Sequence, residues 1–160
     1  MTPTNTATES RPLDDVLQNL RFAMVGTSDG GTWKSRPSTL ADQSGATLHF
    51  LVSADADWVQ PLERAGSPTT VTFSDPHKNE YVSLQGQARA FRDQALIEKL
   101  WSAGAEAYFR DAKDPAIRVL EVNVEYGEYW DSPSGVVGRL LAMTRAVSGM
   151  EPGREGPVSV

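Results

Sequence analysis

The sequence predicts an α+β fold that is mainly β: a β-barrel with appended helices. Six or more short segments rich in β-branched and aromatic residues follow one another, with turn residues between them. Helical patterns fall between groups of these segments, so the regular βαβ alternation of a doubly wound sheet is missing. A glycine inside one long alternating segment marks a bulge of the kind that curls a sheet into a barrel.

The first third of the chain predicts a short helix and a three-stranded meander. Apolar residues recur at helical spacing from Leu13 to Leu20, after a proline suited to the first turn. Strands are expected at 22–27, 33–40 and 47–52, separated by Gly30-Gly31 and by a turn at 42–45. Pro37 removes one ladder donor from the second strand, which indicates an edge or a bulge.

The middle of the chain predicts a crossover helix and two further strands. Apolar residues from Trp58 to Ala65 share one helical face, and Gly66 follows as a stop. Strands are expected at 69–74 and at 81–91, the second being the longest in the chain. Gly86 lies in the middle of that strand and is the predicted bulge.

The last third predicts two helical regions around one more strand. Asp93 caps a helix that continues after a break near Gly104. Residues 117–126 alternate apolar and polar side chains, which predicts a strand with one solvated face, and 128–130 extend or follow it. A last helix is expected over 136–147.

Composition limits the class of protein. The chain has 160 residues, 39% of them apolar and 22% charged, which suits one globular domain. It has no cysteine, so disulfides, thiolate metal sites and cysteine nucleophiles are excluded. The net charge of −6 does not suit a nucleic-acid or anionic-membrane partner. We expect a disordered lead over 1–9, a single domain over 10–148, a flexible tail over 149–160 that is rich in glycine and proline, and a cytoplasmic location.

The sequence lacks the motifs of several common kinds of functional site. His49 and His77 lack the spacing of metal ligands, so no metal site is expected. There is no Gly-x-Ser-x-Gly nucleophile motif. Gly30-Gly31 lies between two strands rather than before a helix, which is typical of a hairpin turn and not of a nucleotide-binding loop.

Six segments in order carry a resemblance to a known family. They are Phe22-Ala23-Met24-Val25, Ser35-Arg36-Pro37, Leu48-His49-Phe50-Leu51-Val52, Val71-Thr72-Phe73-Ser74-Asp75-Pro76, Tyr81-Val82-Ser83-Leu84-Gln85-Gly86-Gln87-Ala88 and Glu128-Tyr129-Trp130-Asp131-Ser132-Pro133. From about residue 13 to about 147 the chain resembles the general stress protein 26 branch of the pyridoxamine 5′-phosphate oxidase-like family. The resemblance implies a six-stranded antiparallel split β-barrel with flanking helices that binds FMN and forms a homodimer, with the flavin sites at the subunit interface.

The resemblance also implies site residues, and their chemistry suits a flavin. The position of Arg36 touches the phosphate, residues 50–53 line the flavin, and Trp130 lies close to the cofactor region. The strand from Ser35 to Ser38 offers backbone amides, since Pro37 interrupts its ladder. The expected cofactor-binding residues are Ser35, Arg36, Pro37, Ser38, Phe50, Leu51, Val52, Ser53, Trp58 and Trp130.

The chain departs from the family at Asp57-Trp58. Relatives that bind FMN commonly carry a basic residue where this chain has Trp58, and losing that contact costs about 1.5–3 kcal/mol. Lys34 is one replacement cation. Trp58 itself is expected to stack over a ring, to plug the phosphate pocket, or to pack as an ordinary helix-face residue.

Two functions of different class follow from the resemblance. The first is an FMN-dependent oxidoreductase that passes electrons from a reduced nicotinamide nucleotide to an unidentified acceptor; no catalytic side chain is predicted for it. The second is a non-catalytic dimeric module with a degenerate flavin site, or one that binds another ligand such as a deazaflavin or haem.

Overall fold

A single large sheet dominates the computed structural model, which describes residues 10–131 and 154–160. In chain order the elements are β1 (Arg11–Pro12), α1 (Leu13–Leu17), β2 (Phe22–Asp29), β3 (Thr32–Ser44), β4 (Thr47–Ser53), α2 (Val59–Arg64), β5 (Ser67–Asp75), β6 (Glu80–Phe91), α3 (Gln94–Leu100), α4 (Ala103–Glu106), β7 (Ile117–Asp131) and β8 (Arg154–Ser159). The predicted mainly β fold, with few helices between groups of strands, is confirmed.

Six of these strands close into a ring. The sheet order is β1-β8-β7-β4-β3-β2-β5-β6, and β6 also pairs with β7. All pairings within the ring are antiparallel. Strand β8 continues the sheet beside the last residues of β7, and β1 runs parallel to β8. The ring therefore has an inner face for a core and an outer face for helices, solvent or a partner.

Buried side chains that alternate with more exposed ones fill the inside of the ring. On β6, for example, Val82, Leu84, Ala88 and Ala90 are buried whereas Tyr81, Gln85, Gln87 and Arg89 are exposed. The inner core also includes apolar side chains of α1 and of α2. Helix α1 leads into the start of β2 and α2 leads into β5, which runs antiparallel to β2, so the two helices cover opposite ends of the ring.

Helix α3 packs on the outside of the ring. Its buried residues Ile97 and Leu100 form a second apolar cluster with Ile117 and Val119 of β7. The helix begins at Asp93, whose side chain accepts a hydrogen bond from the backbone N–H of Leu96 at 3.0 Å, as predicted for a cap. Trp101 and Phe109, which flank α4, pack against this outer cluster.

The bulge predicted at Gly86 is confirmed. Gln85 pairs with Tyr126 and Gly86 with Val124, so Glu125 of β7 is the extra residue. A side chain at position 86 is sterically excluded, because its Cβ would lie 2.0 Å from the carbonyl oxygen of Asn123. The close approach bends β6 against β7 where the ring closes.

Three predicted boundaries are wrong. Strand β3 continues to Ser44 through the expected turn at 42–45, because its last residues still pair with β4 and Gly45, at a φ of +56°, makes the turn. The longest described strand is β7, with 15 residues, because 128–131 extend it without a break. The helical break falls at Ser102 rather than near Gly104, because the Ser102 carbonyl accepts the first hydrogen bonds of a new helix.

The tail prediction is also wrong for residues 154–159, which form β8. The end of β7 beyond Gly127 offers a free edge, and β8 pairs with it from Glu128 to Asp131. Val158 is buried there, 3.1 Å from where a Cβ on Gly127 would lie. The expected lead over 1–9, the helix over 136–147 and the rest of the tail up to 153 lie outside the described residues.

Candidate functional site

A groove of about 380 Å³ lies between the β3–β4 part of the sheet and the helices α3 and α4. Its lining consists of Phe22, Arg36, Pro37, Ser38, Thr39, Leu40, Ala41, Leu51, Val52, Ser53, Ala56, Trp58, Leu100, Ser102, Gly104, Ala105, Tyr108 and Phe109. Most of these side chains are apolar, and Arg36 is the only charged one among them. Such a lining suits a ligand with a flat apolar body and one anionic end.

The first half of β3 presents an unpaired backbone edge beside this groove. Residues 32–39 pair with β2 on one side, but β3 pairs with β4 only from Leu40 onward. Within the described residues, the other edge of β3 before Leu40 therefore has no strand partner. Backbone N–H and C=O groups on such an edge are available to a ligand.

Strand register places Arg36 at the end of the ring near α2. Arg36 pairs with Val25 of β2, so both side chains lie on the same face as buried Thr27. The Nη1 atom of Arg36 donates to Thr27 Oγ1 at 2.9 Å and to the Lys34 carbonyl at 3.1 Å. No carboxylate of residues 10–131 or 154–160 forms an ion pair with this guanidinium. Its charge is therefore not neutralised by the described part of the chain.

Trp58 stacks on Arg36. The guanidinium carbon lies 4.8 Å from the centroid of the indole ring, which is a cation–π distance. Trp58 is half-buried, packs against the inner core and also lines the groove. Its neighbour Asp57 is exposed and does not line the groove. Position 58 thus places an aromatic ring against the arginine.

Seven predicted site residues come together in the groove: Arg36, Pro37, Ser38, Leu51, Val52, Ser53 and Trp58. The Ser53 hydroxyl also accepts a hydrogen bond from the backbone N–H of Asp55 at 3.2 Å, which turns the chain toward α2.

The side chains of Phe50, Ser35 and Trp130 do not line the groove. Phe50 is fully buried in the core because alternation on β4 directs it inward, between Leu51 and His49. Ser35 lies on the opposite face of β3 from Arg36 and beside Gly26. Trp130 lines a separate pocket of about 100 Å³ at the other end of the ring.

Lys34 supplies no cation to the groove. Its Nζ lies 3.6 Å from the Asp29 carboxylate, in an exposed ion pair, and it is absent from the groove lining. An exposed pair of this kind contributes little stability, and it leaves Arg36 as the cation of the groove.

Sequence reasoning missed the α3–α4 wall of the groove. This wall includes Leu100, Ser102, Tyr108 and Phe109. Periodicity predicted helices in this segment, but it could not show which part of the sheet those helices face. The sequence feature that could have indicated this wall is Ser102, which begins a second helix, followed by the aromatic residues Tyr108 and Phe109. In the structure Tyr108 is highly exposed.

A polar cluster on β4, β6 and β7 lies apart from the groove. His49 Nε2 is 3.0 Å from Glu121 Oε2, and Arg89 Nε donates to Glu121 Oε1 at 2.9 Å. Burial raises the pKa of the Glu121 carboxyl, but the hydrogen bonds and charges of His49 and Arg89 outweigh it and hold that pKa below its ordinary value. Among the described residues, no group of three histidine, cysteine, aspartate or glutamate side chains is arranged to hold a metal ion.

A closed ring of antiparallel strands with an arginine-bearing apolar groove beside β3 and β4 defines a small, mainly β protein. The profile of the pyridoxamine 5′-phosphate oxidase-like family matches residues 8–152, so the chain belongs to that family. No helix in the described part of the chain is long and apolar enough to cross a membrane.

Solved structures with the same fold include several general stress proteins. A protein of Jannaschia sp. assigned to general stress protein 26 superposes with a TM-score of 0.73 at 21% identity, covering 91% of this chain and 94% of that one. A Clostridium acetobutylicum protein related to general stress protein 26 gives 0.64 at 22%, covering 74% and 84%. The general stress FMN/FAD binding protein of Xanthomonas citri gives 0.66 at 23%, covering 76% and 87%. The predicted resemblance to the general stress protein 26 branch is confirmed. No curated protein is similar enough to this chain to count as a match.

Proposed function

We propose that this protein is an FMN-binding flavoprotein of the general stress type and that its ring of strands is a split β-barrel. The observation that carries the proposal is Arg36, which lines an apolar groove without a carboxylate partner among the described residues. Family membership and the general stress FMN/FAD binding protein among the structural neighbours support the choice of a flavin.

The groove fits the chemistry of FMN. Both hydrogen bonds of Arg36 use Nη1, which leaves Nε and Nη2 for a phosphate. Leu51, Val52, Leu100 and Phe109 all line the groove and offer apolar surface for the isoalloxazine ring. The unpaired edge of β3 offers backbone donors and acceptors for the polar edge of that ring.

We assign the protein an oxidoreductase role in which a reduced nicotinamide nucleotide is the electron donor. When bound, the flavin supplies hydride and electron transfer. The chain's part is to hold the phosphate through Arg36, to orient the ring against β3 and to exclude water with apolar walls. This role is tested by bleaching of the visible flavin absorption on anaerobic addition of NADH or NADPH.

A second copy of the chain completes the site in this proposal. The outer face of β2 and β3 exposes Phe22, Met24 and Trp33, and Phe22 also lines the groove. An apolar face of this kind next to a ligand groove is typical of a protein–protein interface. We infer a homodimer that buries this face and borders the flavin from both protomers.

Titration of the purified protein with FMN, followed by flavin fluorescence, tests flavin binding. We expect saturable quenching at micromolar concentration or below. Arg36→Ala should weaken binding about 10- to 100-fold, since a hydrogen-bonded charge contributes about 1.5–3 kcal/mol. Arg64→Ala removes the same charge from an exposed position on α2 and should leave the affinity unchanged.

Equal FMN affinity of the Arg36→Ala variant and the parent would contradict the phosphate role. Absence of binding by the parent would favour the other function, a dimeric module whose flavin site is degenerate. Trp58 favours that alternative specifically, because an indole supplies no charge to a phosphate.

A further inference from the structure

We propose that Trp58 is a positioning residue: it holds the Arg36 guanidinium in the orientation that receives the ligand's phosphate. This inference rests on the proposed flavin function, and it concerns how a chain without the second cation keeps its anion subsite. The observations are the 4.8 Å stack, the two hydrogen bonds of Arg36 and the anchoring of Trp58 in the core.

The guanidinium is fixed by contacts of two kinds. The hydrogen bonds from Nη1 to Thr27 Oγ1 and to the Lys34 carbonyl set one corner of its plane. The indole face of Trp58 contacts the guanidinium as well, with the guanidinium carbon over the ring at 4.8 Å from its centroid. Nε and Nη2 keep their donor capacity, so the supported arginine offers a two-donor edge to an oxyanion.

Trp58 is itself held firmly enough to serve as a support. It directly precedes α2, and its ring packs against the inner core. The next residue, Val59, is fully buried, and Leu62, one turn later, is buried as well. The indole is therefore anchored to the core, whereas the neighbouring Asp57 is exposed.

Trp58 affects ligand binding by restricting the Arg36 side chain before the ligand arrives, and not by adding charge. A free arginine side chain loses rotamer freedom when it grips a ligand, whereas one already held in place loses less. Trp58 adds no positive charge, so its contribution should appear only toward ligands that bear a phosphate for Arg36 to bind.

A comparison of FMN with riboflavin, which has the same ring and no phosphate, separates this role from ordinary packing. Trp58→Leu should weaken FMN binding about 3- to 10-fold and leave riboflavin binding unchanged, whereas Trp58→Phe, which keeps an aromatic face, should retain most of the FMN affinity. In an Arg36→Ala background, Trp58→Leu should cause no further loss. An equal loss for both flavins, or an undiminished effect of Trp58→Leu without Arg36, would overturn the proposal.

A measurement without flavin keeps this inference distinct from the proposed function. In ¹⁵N-labelled protein the Nε–H signal of Arg36 should be shifted by the indole ring current and should respond to inorganic phosphate. Trp58→Leu should abolish the ring-current shift and weaken the phosphate response, and Trp58→Phe should preserve both. If the parent binds no flavin, the flavin function fails while this signal still decides the positioning role. A signal that Trp58→Leu leaves unchanged would refute it.

Discussion

Glu121 divides its carboxylate between two basic side chains, and its ionisation should be visible in the stability of the fold. The folded-state pKa is below the ordinary value of 4.5, so the carboxylate stabilises the fold above that pH and stops doing so as the pH falls through the folded pKa. Glu121→Gln should therefore lower the free energy of unfolding by about 1 kcal/mol at neutral pH. The difference between variant and parent should shrink in acid below the folded pKa.

Chemical unfolding at neutral pH and in acid measures this difference. Glu125→Gln is the matched control, because Glu125 is an exposed carboxylate on the same strand. Its effect should be small at either pH. A gap between Glu121→Gln and the parent that stays constant with pH would show that the carboxylate's charge is not what stabilises the cluster.

At the residue scale, strand alternation explains which site residues could be predicted. Arg36 and Ser38 share the inner face of β3, and Leu51 and Ser53 share the outer face of β4. The period of two therefore predicts each pair, but it does not predict that the two pairs meet in one groove. Trp130 could not be placed this way. Ser53 pairs with Ile117 at the start of β7, and Trp130 lies roughly 40 Å further along that strand at about 3.3 Å per residue.

At the scale of elements, the bulge at Gly86 should tolerate no side chain. Gly86→Ala puts a Cβ 2.0 Å from the Asn123 carbonyl oxygen, a backbone atom that cannot move without opening the β6–β7 ladder. We expect a loss of about 3 kcal/mol or more in the free energy of unfolding, at the upper end of the range for overpacked sites. Thermal and chemical unfolding measure it.

Gly66→Ala is the matched control for the bulge. A Cβ at that position meets only the Ala88 carbonyl oxygen, at an ordinary distance of 3.7 Å. Its stability should stay within about 0.5 kcal/mol of the parent. Comparable losses for the two variants would mean that the bulge does not require glycine.

Strand β8 should contribute to the stability of the domain although its sequence predicted a flexible tail. Val158→Ala removes a buried side chain that packs over Gly127, and it should cost about 1–3 kcal/mol. Val160→Ala, on an exposed neighbour, should cost almost nothing. If Val158→Ala left the free energy of unfolding unchanged, β8 would not unfold together with the rest of the domain. The glycine and proline content of this segment is typical of a flexible tail. The strand forms because it pairs with the edge of β7, and that edge exists only in the folded sheet.

For the whole molecule, the antiparallel strands could be predicted but the outer wall of the groove could not. Alternation and turn residues gave the strands, and Gly86 marked where β6 bends against β7. The position of α3 and α4 outside the ring depends on contacts such as Ile97 with Ile117, which join segments of different period. No local sequence pattern contains that pairing, so the α3–α4 wall of the groove could not be predicted.

The exposed apolar face of β2 and β3 predicts that the chain forms a dimer. Phe22 is 78% exposed and lines the groove, so a second copy that covers it would stabilise the dimer and the flavin site together. We expect sedimentation velocity to show a dimer for the parent and a shift toward monomer for Phe22→Ser, with FMN affinity falling in parallel. Tyr126→Ser removes an aromatic residue that is also exposed but lies outside the groove, and it should change neither. If Phe22→Ser remains dimeric yet loses FMN, Phe22 acts only as a wall of its own protomer's groove. If it becomes monomeric and keeps its FMN affinity, one chain holds the flavin without a partner.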